Sequence, residues 1–403
     1  MRSTLALVLA VTAVAATTPL DAQRGAQPPR RPALAAADTN DARAYLEFGA
    51  QNLASRPNEA ADAFYWAYQL DPASADALYG RYAAFLVSSP VRLVNYWNGD
   101  RRTLRSREVL AADSLYFRAL TMDPFLYRRY EMHVLRAYLH QAVRNADGLA
   151  SERDIQRRID AFMVHSGPWL RAIEAYAQGR FVQALTFYNE ALARARSKSL
   201  VRAERGRLFA HVGNHQSALE EFGHALREMR REDERELVFL YESKALMEHG
   251  IAVLHERMGD RAAAREAYGR ALTEDLGFYP AHVRLGLLAL AEGDTATAVA
   301  ELDLAAQAAG ADPSVHYTYG AMLARLGRLD EAAAQLVRAA ELAPFYADPW
   351  FALGVVRDGK ANVDAAREAY ARFLNGAART HRRRAVAEQR LRDLGAEPPA
   401  DGR

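Results

Sequence analysis

One spacing constrains this chain more than anything else. A small residue, then an Ala twelve positions on, a large apolar or aromatic residue four later and another small residue three later recur in register. The set occurs as Ala172–Ala184–Tyr188–Ala191, Gly206–Ala218–Phe222–Ala225, Ala252–Ala264–Tyr268–Ala271, Gly286–Ala298–Leu302–Ala305 and Gly320–Ala332–Leu336–Ala339. Gly354–Ala366–Tyr370–Phe373 keeps the offsets and ends on a large residue. The first members are 34 residues apart except between Gly206 and Ala252, where 12 more intervene. Seven residues after the first member stands Gly179, Gly213, Gly259, Gly293 or Gly327, with Ala361 in the sixth copy.

Such a period holds two helices of about 12 residues and a tight turn. The Gly ends the first helix, because the turn needs backbone angles that a side chain resists. The small residues fall where paired helices cross, letting the axes approach. The 4-then-3 spacing keeps the second helix's three members on one face. No unit can cover its own apolar face, so the units must stack.

These residues carry a resemblance to the tetratricopeptide repeat family. Asp348-Pro349-Trp350-Phe351-Ala352-Leu353-Gly354 is similar to the family's first helix, and Ala339-Ala340-Glu341-Leu342-Ala343-Pro344 to the exit of its second. Ala60–Phe64–Ala67–Pro72 and Ala112–Tyr116–Ala119–Pro124 resemble two more second-helix halves. The resemblance implies an all-α, right-handed solenoid with a C-terminal capping helix, first helices lining the concave side, and a protein or peptide as partner.

The expected organisation starts with a signal peptide over residues 1–22. Met1-Arg2 is followed by the apolar run Leu5–Ala16 and a small residue, Ala22, at the expected cut. The run is too short for a comfortable membrane span, which takes about 20 residues. A Pro/Arg-rich spacer (23–38) reads as disordered. Two divergent units (39–124) hold an insertion at 88–107. A non-repeat segment (125–168) is expected to form helices near Leu126–Ala146 and Glu152–Val164. Six contiguous units occupy 169–378, and 379–403 is a cap and tail, with a helix near Thr380–Leu394. The extra residues at Arg230–Tyr241 are expected to lengthen a helix. Export to the periplasm or beyond follows, with no membrane insertion after cleavage.

Charge and chemistry narrow the function. The 52 basic and 50 acidic residues nearly cancel, which gives no field for gathering nucleic acid. There is no Cys, so disulfides and thiolate chemistry are out. No phosphate loop or nucleophile elbow occurs, and His255-Glu256 is not continued as a zinc motif. No catalytic, cofactor or metal residue is assigned, and the expectation is a scaffold, not an enzyme. His211 and His215 have metal-binding spacing but span the Gly213-Asn214 turn and lack further ligands. The run Arg227–Glu236 and the cluster Arg382-Arg383-Arg384 are expected to be solvated helix faces. Trp97 is expected to fold back over the N-terminal end of the solenoid, against a binding role for Tyr96 and Trp97. The alternative enzyme site falls in 125–168, with His133, His140 and His165.

Residues three before, one after and four after each first-helix packing position point the same way. They give an apolar stripe whose candidate partner-binding members are Trp169, Tyr176, Arg207, His249, Tyr317 and Phe351. Such a stripe is either the filled interior of a tight superhelix or an open peptide groove.

Overall fold

A computed structural model describes residues 28–34, 38–195, 198–232 and 243–399. The signal segment, half of the spacer (23–27 and 35–37) and the later part of the Arg230–Tyr241 extension lie outside the described residues. The described part of the spacer is not disordered, contrary to expectation: Trp66 Nε1 donates to the Pro29 carbonyl at 2.9 Å, Arg31 lies 4.3 Å from the Trp66 ring centre, and Leu34 packs on the core. Every regular element among the described residues is helical. The N-terminal helices are α1 (Ala42–Asn52), α2 (Pro57–Leu70), α3 (Ala75–Val87), α4 (Pro90–Trp97), α5 (Arg101–Leu104) and α6 (Arg107–Met122). Two longer helices follow, α7 (Glu131–Ala146) and α8 (Glu152–Val164). The array then pairs α9 (Pro168–Ala177) with α10 (Phe181–Arg194), and α11 (Ser199–His211) with α12 (His215–Glu232). Next come α13 (Lys244–Arg257) with α14 (Arg261–Glu274), α15 (Tyr279–Ala291) with α16 (Thr295–Ala308), and α17 (Pro313–Arg325) with α18 (Leu329–Leu342). The last pair is α19 (Asp348–Gly359) with α20 (Val363–Gly376), capped by α21 (Arg384–Asp393).

The turns explain the period. Gly179, Gly213, Gly259, Gly293 and Gly327 all have φ between 72° and 84°, and Ala361 takes φ 56° in the equivalent place. In each turn the next residue's N–H donates back across the helix end: Asp294 to the Ala289 carbonyl at 2.9 Å, Arg328 to Leu323 at 3.0 Å, Asn362 to Arg357 at 2.9 Å. This closure satisfies carbonyls that the helix end would orphan. Asn214, Asp260, Asp294 and Asn362 then accept from backbone N–H groups of the second helix, so one dipeptide ends a helix and starts the next.

The crossing explains the small residues. A Cβ added at Gly354 would lie 2.6 Å from the Tyr370 ring, and one at Gly320 2.7 Å from Leu336 Cγ. The large member of each second helix therefore sits on the missing side chain of the first. Phe64 does the same twice over, since a Cβ at Gly49 or Gly80 would meet its ring at 2.8 Å or 2.4 Å. Ala298 and Ala332 are fully buried in the crossings. A Leu at either would cost about 1–3 kcal/mol through overpacking.

The chain does not run out as an open ramp. The N-terminal helices share one continuous apolar core with α11–α15, from Tyr45 and Phe64 to Tyr268 and Leu288. Further along, Trp66 meets Phe345 edge-on at 4.9 Å, and Arg118 pairs with Asp312 at 2.7 Å. Asn40 Nδ2 donates to the Asn375 carbonyl at 3.1 Å, and the Arg379 N–H donates to the Asp38 carboxylate. The N-terminal block thus docks along the array as far as its last unit.

Two helix starts differ from expectation. The helix expected from Leu126 begins at Glu131, because Phe125, Leu126 and Tyr130 are buried plugs in an irregular bend. The capping helix begins at Arg384, after a turn in which the Arg384 N–H donates to the His381 carbonyl.

Candidate functional site

The stripe along the first helices is where the sequence places a binding surface. Of its eighteen positions only Val355, 48% exposed, is open to solvent. The segment from Thr121 to Glu131 lies against its members Tyr176, Arg207 and His249, and Arg383 lies on Tyr317 and Phe351.

Arg207, on α11, is 1% exposed. It is ion-paired to Glu204, one turn before it, and Glu204 also receives Arg128 from the bend at 2.9 Å. Arg128 reaches Glu131 at 3.8 Å, and Tyr79 donates to Glu131 at 3.2 Å. Two guanidinia and two carboxylates are thereby held together with no net charge, as buried ions require.

His249, on α13, is fully covered. Its Nε2 lies 3.0 Å from the Thr121 carbonyl of α6, which fixes Nε2 as the protonated nitrogen and donor. Burial pushes its pKa down to about 4, so the imidazole is neutral. One residue on, a Cβ at Gly250 would meet Pro124 and Phe125 at 3.7 and 3.8 Å, so the bend lies directly against α13. Arg257 stands over the Phe125 ring at 4.6 Å.

Tyr176, on α9, is buried against Tyr127, whose hydroxyl donates to the Tyr176 and Ala177 carbonyls at 3.0 and 2.9 Å. Trp169 is half-buried, edge-on to Tyr188 at 5.7 Å. Tyr317 and Phe351 are half-buried under one cap residue. Arg383 donates to the Tyr317 hydroxyl at 3.0 Å, pairs with Asp348 at 2.9 Å, and lies 5.2 Å from the Phe351 ring centre.

The stripe is therefore a filled interior at Tyr176, Arg207 and His249, and the open-groove alternative does not fit them. The Arg382-Arg383-Arg384 cluster is not the single solvated face expected of it. Arg383 is turned inward, and Arg384 pairs with Glu388 and donates to the Leu374 carbonyl, while Arg382 alone of the three is exposed. The wet cap face reduces to Arg382.

Other candidates take plain positions. His211 is exposed but stacks on Tyr127 at 4.9 Å. In the non-repeat segment, His140 pairs with Glu152 at the surface, 2.8 Å away. His133 is held below its usual pKa, first by burial and then by Arg136. His165 is the exposed C-cap of α8. Among the described residues no group of three or more His, Asp or Glu is placed to hold a metal.

One feature had no signal in the stripe. An open cavity of about 400 Å³ lies between α18, α19 and α20, lined by Val337, Ala340, Trp350, Arg357 and Arg372 with Glu341 and Glu368. Arg372 covers one side of the Trp350 indole at 4.5 Å. Trp350 belongs to the sequence pattern, but the pattern reads it as packing.

Paired antiparallel helices, a left-handed turn after each first helix and a small residue under each large one define a helix–turn–helix repeat solenoid. Its 34-residue period and its Trp-Leu-Gly first helix resemble those of tetratricopeptide repeats. No family profile matches the chain, and neither does any curated protein. Solved structures similar to it include three that match about half its length. YrrB, described as a tetratricopeptide protein with an unusual peptide-binding site, is 19% identical, covers 51% of this chain with 98% of its own, and gives a TM-score of 0.39. PilW, a type IV pilus biogenesis factor, is 19% identical over 52% of this chain and 91% of its own, at 0.41. The C-terminal part of a tetratricopeptide protein from Cytophaga hutchinsonii is 13% identical over 55% and 81%, at 0.42.

Proposed function

We propose that this chain is an exported protein-interaction scaffold that works through the groove around Trp350, not through the concave stripe. Export is supported by the Met1-Arg2, Leu5–Ala16 and Ala22 layout. No helix among the described residues is long and apolar enough to cross a membrane.

One observation carries the choice of surface. The stripe that a solenoid of this kind would offer is filled by its own chain at Tyr176, Arg207 and His249, whereas the α18–α20 groove stands open. Its lining combines apolar residues (Val337, Ala340, Trp350) with both signs of charge (Arg357, Arg372, Glu341, Glu368). Such a site fits an apolar side chain of a peptide with polar groups beside it.

Affinity capture from the cell envelope tests this with the intact chain and two groove variants, Val337→Glu and Arg372→Glu. Loss of a captured protein in both, at an unchanged melting temperature, is the expected result. Equal capture by all three places the site elsewhere, and no specific capture by the intact chain contradicts the scaffold reading.

A further inference from the structure

The excursion between α3 and α6 has a surface that the packing of the repeats does not require. Its helix α4 buries Leu93 and Val94 and lies on α3 and α7. Tyr96 donates to Asp113 at 3.0 Å, and Trp97 leans on Tyr138 of α7 with ring centres 4.6 Å apart. Beyond α4 the chain turns at Gly99, φ 73°, and Asn98 to Arg102 are exposed in succession. The excursion therefore sits over α7, not over the N-terminal end, and its tip projects from the body.

The tip carries cations with apolar residues among them. Arg101, Arg102, Arg105 and Arg107 are exposed, and none has a carboxylate within 4.0 Å among the described residues. Of the two acids beside them, Asp100 is occupied in capping α5, accepting from Thr103 N and Oγ1. Glu108 is exposed. Trp97, just before the tip, and Leu110, one turn after Arg107, are 40% and 47% exposed. Elsewhere arginines are held by carboxylates, as in the Arg128–Glu204 and Arg118–Asp312 contacts.

We infer that this tip docks on an anionic lipid surface. A surface array of phosphates can take several exposed guanidinia without a groove to receive them. An exposed Trp and Leu close in the chain to the cations suit the headgroup boundary, where an indole is favoured. The contact is peripheral and reversible. It goes beyond the scaffold reading and uses a different surface from the Trp350 groove.

The test uses the full chain and sedimentation with vesicles of phosphatidylcholine alone or with added phosphatidylglycerol. Any binding through the Leu5–Ala16 run appears in both lipids, so the readout is the difference between them. The expected result is phosphatidylglycerol-dependent binding that salt weakens and that Arg101→Glu/Arg102→Glu/Arg105→Glu/Arg107→Glu reduces about tenfold or more. Should the Glu variant misfold, the four Arg→Gln changes serve instead. Brominated phosphatidylglycerol should also quench tryptophan emission in the intact chain and not in Trp97→Phe. Equal binding to both lipids overturns the inference, as does an undiminished difference in the Arg variants. Tighter binding to poly-glutamate than to the anionic vesicles also overturns it, in favour of an acidic protein ligand.

Discussion

Arg118 near the end of α6 and Asp312 at the start of α17 form an ion pair at 2.7 Å, joining the N-terminal block to the fifth unit of the array. Asp312 is also the N-cap of α17, accepting from Ser314 N and Oγ, and it receives the Tyr279 hydroxyl at 3.1 Å. One carboxylate thus starts a helix, links two units and holds the docked block. Tyr68 of α2 stands beside the same guanidinium, 5.3 Å from ring centre to Cζ.

Removing the cation leaves a covered carboxylate short of its counter-charge. Arg118→Ala should cost about 3 kcal/mol, at the lower end for a buried pair because Arg118 keeps some solvent contact. Arg118→Met/Asp312→Asn should recover most of that loss. Denaturant midpoints of the three proteins give the answer.

The sixth turn carries a strain that the other five avoid. Ala361 adopts φ 56°, where Gly stands elsewhere, and left-handed angles cost a residue with a side chain about 1–2 kcal/mol. Ala361→Gly should stabilise the protein by roughly 0.5–1 kcal/mol after allowing for Gly's greater freedom when unfolded. Gly327→Ala should destabilise by a similar amount, since nothing lies within 4 Å of the added Cβ and only the backbone objects. Thermal melts of both variants measure it.

Two buried titratable groups act in opposite directions with pH. His249 folds neutral with its pKa near 4, below the ordinary value of about 6.5. Its contribution is full above about pH 6.5 and is lost as pH falls towards 4, up to about 3 kcal/mol in all. His249→Gln should flatten that part of the stability curve. Asp113 is pushed up to about 6 by burial, so its folded form prefers the proton, and stability falls as pH rises from about 4 to 6. Asp113→Asn should therefore add about 1–2 kcal/mol at pH 7 and nothing at pH 4, with half-burial limiting the gain.

Arg207 separates a binding residue from an interior one. In an accessible groove, Arg207→Glu would weaken capture and leave melting unchanged. Held between Glu204 and the Arg128 bend, it should instead destabilise by about 3–5 kcal/mol, because a third carboxylate replaces one of two cations. A melting curve decides, with Arg372→Glu as the surface control.

The repeat was legible because its physics is local. Gly354 over Tyr370 and Gly293 before Asp294 are decided within one unit, and the spacing records them directly. What covers the stripe was not legible, because Arg207 meets Arg128's partner and His249 meets Thr121 only through the path of the whole chain. Sequence offsets placed Trp169, Tyr176, Tyr317 and Phe351 on one inward face; they could not say that Arg383 and the Thr121–Glu131 bend would fill it. The bend itself looks helical in composition, and the demand for Phe125 and Tyr130 as plugs overrides that propensity.

The central claim is that the N-terminal block closes onto the far end of the array. The chain has no Cys, so Asn40→Cys/Asn375→Cys introduces one unambiguous pair, at positions now joined by a 3.1 Å hydrogen bond. A short bis-maleimide linker should join the two within a single chain, at a yield independent of protein concentration, and denaturant should abolish it. Linkage absent from the folded protein, or found only between chains, would contradict the closure and reopen the first-helix stripe as a binding surface.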